Sequence, residues 1–189
     1  MDELNLINKA KEGDKEALAA LVKKYEQTVY NFAFKICRDK DKAENMMQDT
    51  FLSMIKNLHQ FDGRSKLSTW LYRIISNNCL MSVRKARPGR FVSLDDDEDN
   101  LYEEKIPADW NTIPFRSVEN IELKKILDDS IAKLAPDYRI VFLLRDVEGL
   151  STEETAKITE LSAAAVKSRL HRARAFLRKE INEAFQHEI

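Results

Sequence analysis

Apolar residues recur at helical spacing along most of the chain, and the pattern divides it into two groups of helices. In the first group a short helix ends near Gly13. A long helix introduced by Asp14 follows, with Leu18, Leu21, Val22, Tyr25, Val29, Phe32 and Ile36 on one face. The same period returns in Ala43, Met46, Met47, Thr50, Phe51, Met54, Ile55 and Leu58, and Glu44, Gln48 and Asp49 fall largely outside that stripe. Met in such a stripe is core filling rather than a ligand set. A fourth helix begins near Leu67 and carries Trp70, Leu71, Ile74 and Ile75 on its apolar side. Asn78 shares that side, as expected of a structural hydrogen-bonder, whereas Arg73 and Asn77 project away from it.

The second group opens at Ser117, a cap for a helix carrying Val118, Ile121, Leu127, Ile131 and Leu134. Pro136-Asp137 restarts the chain, and a helix from Tyr138 to Val147 holds the run Ile140 to Leu144 and stops at Gly149. Ser151 and Glu154 form an S-x-x-E capping box for a short helix with Ala156 and Ile158 as packing positions. Ser162 then caps the last helix, whose stripe Val166, Leu170, Ala173, Leu177 and Ile181 steps by four, three, four and four. With 4 Gly and 4 Pro in 189 residues and no strand-like alternation, the expected fold class is all-α, ending in a helix-turn-helix.

That last helix is also where the chemistry gathers. Opposite its stripe lie Ser168, His171, Arg172 and Ala175, flanked by Lys167 and Arg174. From Lys167 to Lys179 there are six Lys or Arg and no Asp or Glu, in a chain of formal net charge −1. A local excess of this kind suits a phosphate-rich partner. A charge run alone is more often a solvated face of an ordinary bundle. The cap, the tight turn and the basic outer face together favour a helix that enters a DNA major groove.

Charge also separates the parts. Residues 1–88 carry 16 basic and 11 acidic side chains, residues 89–118 carry 3 and 8, and residues 119–189 carry 12 and 13. The middle segment contains Asp95-Asp96-Asp97-Glu98-Asp99, Pro107 and Pro114, and begins at Pro88-Gly89. It reads as a flexible acidic linker, which sets expected boundaries at 1–88, 89–117 and 118–189. No apolar run approaches the ~20 residues that span a bilayer, and the start Met1-Asp2-Glu3 is unlike a signal peptide, so a cytoplasmic protein without membrane insertion is expected. Cys37 and Cys79 sit in apolar helical stretches and are expected as buried thiols rather than a disulfide or a zinc site. Widely spaced His59, His171 and His187 and the absence of H-E-x-x-H, G-x-S-x-G or a Gly-rich phosphate loop argue against an enzyme and imply no cofactor or metal.

In the first group, the turn Phe61-Asp62-Gly63-Arg64-Ser65-Lys66 precedes the helix that bears Arg73 and Asn77. An exposed amide can read an unpaired base edge while Arg64, Lys66 and Arg73 hold phosphates, although composition alone leaves a plain solvated surface open.

In order along the chain, DKAENMMQDTFLSMIKNLHQFDG, STWLYRIISNNCLMSVRK, LAPDYRIVFLLRDVEGLSTEETAKI and AAAVKSRLHRARAFLRK resemble the extracytoplasmic-function (ECF, group 4) sigma factors of bacterial RNA polymerase. The resemblance covers nearly everything except the linker. It implies a first domain that docks on the clamp helices of the polymerase largest subunit and captures melted minus-10 DNA, and a second that reads minus-35 duplex. Gln48 and Asp49 match the polymerase-contacting pair, and Asn77, beside the loop bearing Arg64 and Lys66 and near Arg73, matches an amide facing the minus-10 element. Lys167, Ser168, His171 and Arg172, with Arg174 at the flank, match the recognition-helix face. The resemblance further implies an anti-sigma factor as partner and a linker directed toward the RNA exit path. The chain departs from the family at Glu160, where Gly is usual in the helix-turn-helix; a positive φ there costs a non-Gly residue on the order of 1 kcal/mol.

Overall fold

In a computed structural model, residues 2–86 and 121–186 are described, with side chains over 2–82 and 125–184. The linker 89–117, with its acidic run and both prolines, and the expected cap Ser117 with Val118 lie outside the described residues. Within them every regular element is helical, in two compact units.

The first unit holds α1 (Glu3–Lys11), α2 (Lys15–Cys37), α3 (Lys40–Asn57), a 3-10 turn over Leu58–Gln60, and α4 (Leu67–Ala86). Asp14 starts α2 by accepting hydrogen bonds from the amides of Glu16 and Ala17 at 2.9 and 3.1 Å. Arg38 ends it in a left-handed conformation, φ 54°, its amide donating to the Phe34 carbonyl. Asp39 then caps α3 through the Lys42 amide, and this bond holds the Asp39 carboxyl below its ordinary pKa. Helix α2 is the central element, packed on α1, α3 and α4. Leu21, Val29, Phe32, Ala33 and Ile36 meet Ala43 and Met54 of α3 and Leu67, Leu71 and Ile75 of α4 in a closed core.

Several positions depart from the apolar pattern. Leu18 and Val22 are only half-buried and, with Ile55, line an open groove, while Ile55 itself is 45% exposed. The expected stripe was wider than the strip α3 can cover, because residues at both margins of a helical face point past the neighbouring helix. Tyr72, outside the expected stripe of α4, is buried with its ring 4.7 Å from that of Phe32. Asn78 makes no structural bond through its amide nitrogen, which is buried and has no partner.

The second unit comprises α5 (Ile121–Lys133), α6 (Pro136–Phe142), running on as a π-helical turn over Leu143–Val147, α7 (Thr152–Thr159) and α8 (Ala163–Gln186). The run Ile140 to Leu144 is buried on every side because α6 and its extension thread the middle of the unit. Gly149 closes this element at φ 74°. Leu127 and Ile131 of α5, Leu134 just beyond it, and Val166, Leu170, Ala173 and Leu177 of α8 complete the core.

A charged residue is buried in this core. Arg139 is 7% exposed; its Nε donates to the Ile131 carbonyl at 2.9 Å, and its Nη2 donates to the carbonyls of Leu134, at 2.8 Å, and Ala132. Ile131 and Ala132 lie in the last turn of α5 and Leu134 just beyond it; the Ile131 carbonyl also accepts from the Leu134 amide at 3.2 Å, so the guanidinium supplements the backbone in closing the helix end.

Candidate nucleic-acid interface

Helix α8 is presented by the turn before it. Ser151 Oγ accepts from the Glu154 amide at 3.1 Å, and the Ser151 amide donates to Glu154 Oε2 at 2.8 Å, so the capping box is closed in both directions. Glu160 ends α7 in the left-handed region, φ 58° and ψ 32°, and the Leu161 amide donates to the Ala156 carbonyl at 3.1 Å. The turn does require positive φ, at the position where the chain departs from Gly. Ser162 Oγ then accepts from the Ala165 amide at 3.1 Å and starts α8.

With Val166, Leu170, Ala173 and Leu177 buried, Lys167, Ser168 and His171 are exposed and Arg172 is half-buried beside them. These four share the outward side of the first two turns of α8; Ala175, expected on the same side, is half-buried. The six basic side chains do not act as one cluster. Arg174 Nε and Nη2 donate to Asp146 Oδ2 and Oδ1 at 2.8 and 2.7 Å, a bidentate pair in which both side chains are largely buried. That pair raises the Arg174 pKa against the opposing effect of burial. Arg169 lies 3.9 Å from Asp137 and has its guanidinium 5.9 Å from the centre of the Tyr138 ring. Arg174, expected at the flank of the DNA face, is instead committed to the π-helical turn of its own unit. Its helical period could not reveal this, because Asp146 lies 28 residues away in sequence.

In the first unit Gln48 and Asp49 are exposed on α3. The helix continues the same surface with Leu52, 61% exposed, and Ile55. Leu52 stands four residues beyond Gln48 and three beyond Asp49, one turn away on the same side. Leu52 and Ile55 together leave apolar surface in water beside these polar positions, and Leu52 lies outside the apolar stripe.

Arg73 is exposed on α4, and Asn77, one turn further, is half-buried. The loop that precedes α4 is anchored at its root: Phe61 is buried against Trp70, ring centres 5.5 Å apart, and Lys11 Nζ donates to the Phe61 carbonyl at 2.5 Å. Asp62 accepts from the Arg64 amide at 3.0 Å and lies 3.3 Å from its Nε. Arg64 and Lys66 are therefore exposed on a loop with a fixed base, and an ion pair as exposed as Arg64–Asp62 holds its members weakly.

The family model of sigma-70 region 2 matches residues 21–88, and that of sigma-70 region 4 matches residues 124–177. Over 179 residues the chain is 31% identical to the ECF RNA polymerase sigma factor SigW of Bacillus subtilis, covering 94% of this chain and 95% of that protein. The chain belongs to the ECF sigma factors. The ECF RNA polymerase sigma-E factor of Haemophilus influenzae is 30% identical over 178 residues, 93% of each chain. Among solved structures, the sigma factor RpoE of Bartonella quintana, in complex with the anti-sigma factor NepR, aligns with a TM-score of 0.62 and 27% identity, over 91% of this chain and 98% of that one. The structure of CnrH in complex with the cytosolic domain of CnrY matches in fold, with a TM-score of 0.64 and 24% identity over 96% and 97% of the two chains. This ECF sigma factor is thus a transcription initiation factor, and among its described residues no helix is long and apolar enough to cross a membrane.

Proposed function

We propose that this sigma factor holds core RNA polymerase through Gln48, Asp49 and the adjoining Leu52, reads minus-35 duplex through Lys167, Ser168, His171 and Arg172, and captures melted minus-10 DNA around Asn77. Arg64, Lys66 and Arg73 hold phosphates near the captured strand. The supporting observation is the side of α8 that carries Lys167, Ser168, His171 and Arg172, presented by a closed capping box and a left-handed turn in the unit matched by sigma-70 region 4. Lys and Arg on such a helix contact phosphates and guanine edges, and His and Ser add shorter hydrogen bonds.

Two weak DNA contacts become one spaced recognition event once the polymerase holds both units, so 1–88 and 118–189 act as domains joined through 89–117. Preference for extruded bases over stacked ones stabilises the open promoter without covalent chemistry by this chain. Catalysis belongs to the polymerase, and the protein works in the cytoplasm. An anti-sigma factor is the regulatory partner, as one is for the RpoE relative of Bartonella quintana.

Reconstituted transcription tests this reading. Core enzyme plus this protein should start transcripts at discrete sites in a promoter library, and gel shifts should show strong promoter binding only when core is present. Asp49→Arg should reduce core binding in a pull-down, and Arg172→Ala should weaken minus-35-dependent initiation by about 5- to 150-fold, as a base contact of ~1–3 kcal/mol implies. Strong promoter binding without polymerase would replace the reading with an autonomous regulator.

A further inference from the structure

Cys37 and Cys79 lie 42 residues apart in sequence, yet their Sγ atoms are 3.8 Å apart. Cys37 is the last residue of α2 and is half-exposed; Cys79 is in the second half of α4 and is completely buried. No disulfide joins the two sulfurs. Around them Ile36 and Ile75 belong to the closed core, so the helices that carry the sulfurs are already held together. The gap of 3.8 Å must close to about 2.0 Å for a disulfide, a change that side-chain rotation and a small helix adjustment can supply.

We propose that Cys37 and Cys79 form a reversible dithiol–disulfide couple that staples the end of α2 to α4 when the protein meets a low-molecular-weight disulfide. The half-exposed Cys37 reacts first. Its thiolate attacks one sulfur of the small disulfide, forming a mixed disulfide and expelling one small thiolate, which takes up the proton Cys37 has lost. Cys79 then attacks the Cys37 sulfur, forming the internal bond. The second small thiolate leaves and takes up the Cys79 proton. Two protein thiols are oxidised by two electrons in total, and one small disulfide is reduced to two thiols.

Contact with Cys37 suits Cys79 to the second step. The hydrogen bond to Cys37 and then burial both push its thiol pKa up, so it is inert toward reagents in solution. A mixed disulfide at Cys37, however, places an electrophilic sulfur within contact range, where proximity replaces high thiolate content. The closed loop contains the polar turn and the whole of α3, so cross-linking removes much of the freedom this unit has when unfolded.

The full-length reduced protein, incubated with oxidised glutathione at about pH 8.5, near the ordinary thiol range, tests the couple. Intact mass should fall by two hydrogen atoms, peptide mapping should find a Cys37–Cys79 link, and the thermal midpoint of the first unit should rise by roughly 10–20 °C, reversibly with a dithiol reductant. Cys79→Ala should stop at a glutathione adduct on Cys37, and Cys37→Ser should gain no adduct. Should Cys79→Ala fail to fold, the wild-type map and midpoint decide the matter. A persistent Cys37 adduct in the wild type, disulfide-linked dimers in place of the internal bond, or a lowered midpoint would each overturn the proposal.

Discussion

Replacing Arg139 by Leu removes the guanidinium that closes α5. In the native protein this side chain is 7% exposed and serves three carbonyls, those of Ile131, Ala132 and Leu134. A hydrogen bond with a charged partner contributes about 1.5–3 kcal/mol net, which for three bonds sets a gross loss of several kcal/mol. Two effects reduce it. The folded state no longer has to desolvate a guanidinium, and water can reach one or more of the exposed carbonyls at the frayed helix end. The expected net cost is ~3–4 kcal/mol, a large fraction of what a unit of this size has to lose. Hydrogen–deuterium exchange of the full-length protein gives the local readout: amides of α5 that exchange through opening of this unit should speed up by about 100- to 1000-fold, while those of α2 should not change. Arg139→Lys should fall between, because an ammonium lacks the planar fork that reaches several carbonyls at once. Exchange in α5 within about threefold of wild type for Arg139→Leu would refute the capping role.

Glu160→Gly should stabilise the second unit by about 0.5–1 kcal/mol, since relief of a left-handed non-Gly residue outweighs the extra freedom of the unfolded chain; calorimetry would read a rise of a few degrees, and a fall would contradict the strain. Arg174→Ala should lower stability by about 1–3 kcal/mol while leaving the salt dependence of promoter binding unchanged, whereas Lys167→Ala should do the reverse; denaturant melts and a salt titration of the holoenzyme separate the two. Glu3 receives hydrogen bonds from Lys24 at 2.5 Å and Tyr25 at 2.6 Å, which hold its carboxyl below the ordinary pKa despite burial. A depressed carboxylate contributes stability above its unfolded pKa and loses it as pH falls through the folded one. Glu3→Gln should therefore melt earlier than wild type at neutral pH, with the difference vanishing in acid; a gap that persists at about pH 2 would show that packing, not charge, is at stake.

Local signals were dependable wherever a few neighbouring residues suffice. Asp14 at the start of α2, the closed box of Ser151 and Glu154, Ser162 before α8, and the central positions of the buried faces of α2 and α8 stand where composition and period put them. Capping bonds span three or four residues and a helical stripe repeats every turn, so a single chain carries that information in full. The outward placement of Lys167, Ser168 and His171 follows from the same arithmetic. Gly at the turn could be seen to be missing, and the positive φ of Glu160 was conditional on it.

Tertiary structure decided which partners distant residues find. Period alone puts Arg174 at the edge of an exposed basic face, but Asp146, reached only when α8 packs on the π-helical turn, takes both arms of its guanidinium. Arg139 looks like an ordinary surface charge in Pro-Asp-Tyr-Arg until α5 ends above it. Ile55 belongs to the apolar stripe of its helix, and only the finite width of the neighbouring helices leaves it in water. Cys37 and Cys79 lack any spacing motif, yet α2 and α4 bring their sulfurs into contact. Charge and polarity are properties of a residue, whereas burial and pairing are properties of two surfaces, and the second surface does not exist until the chain has folded.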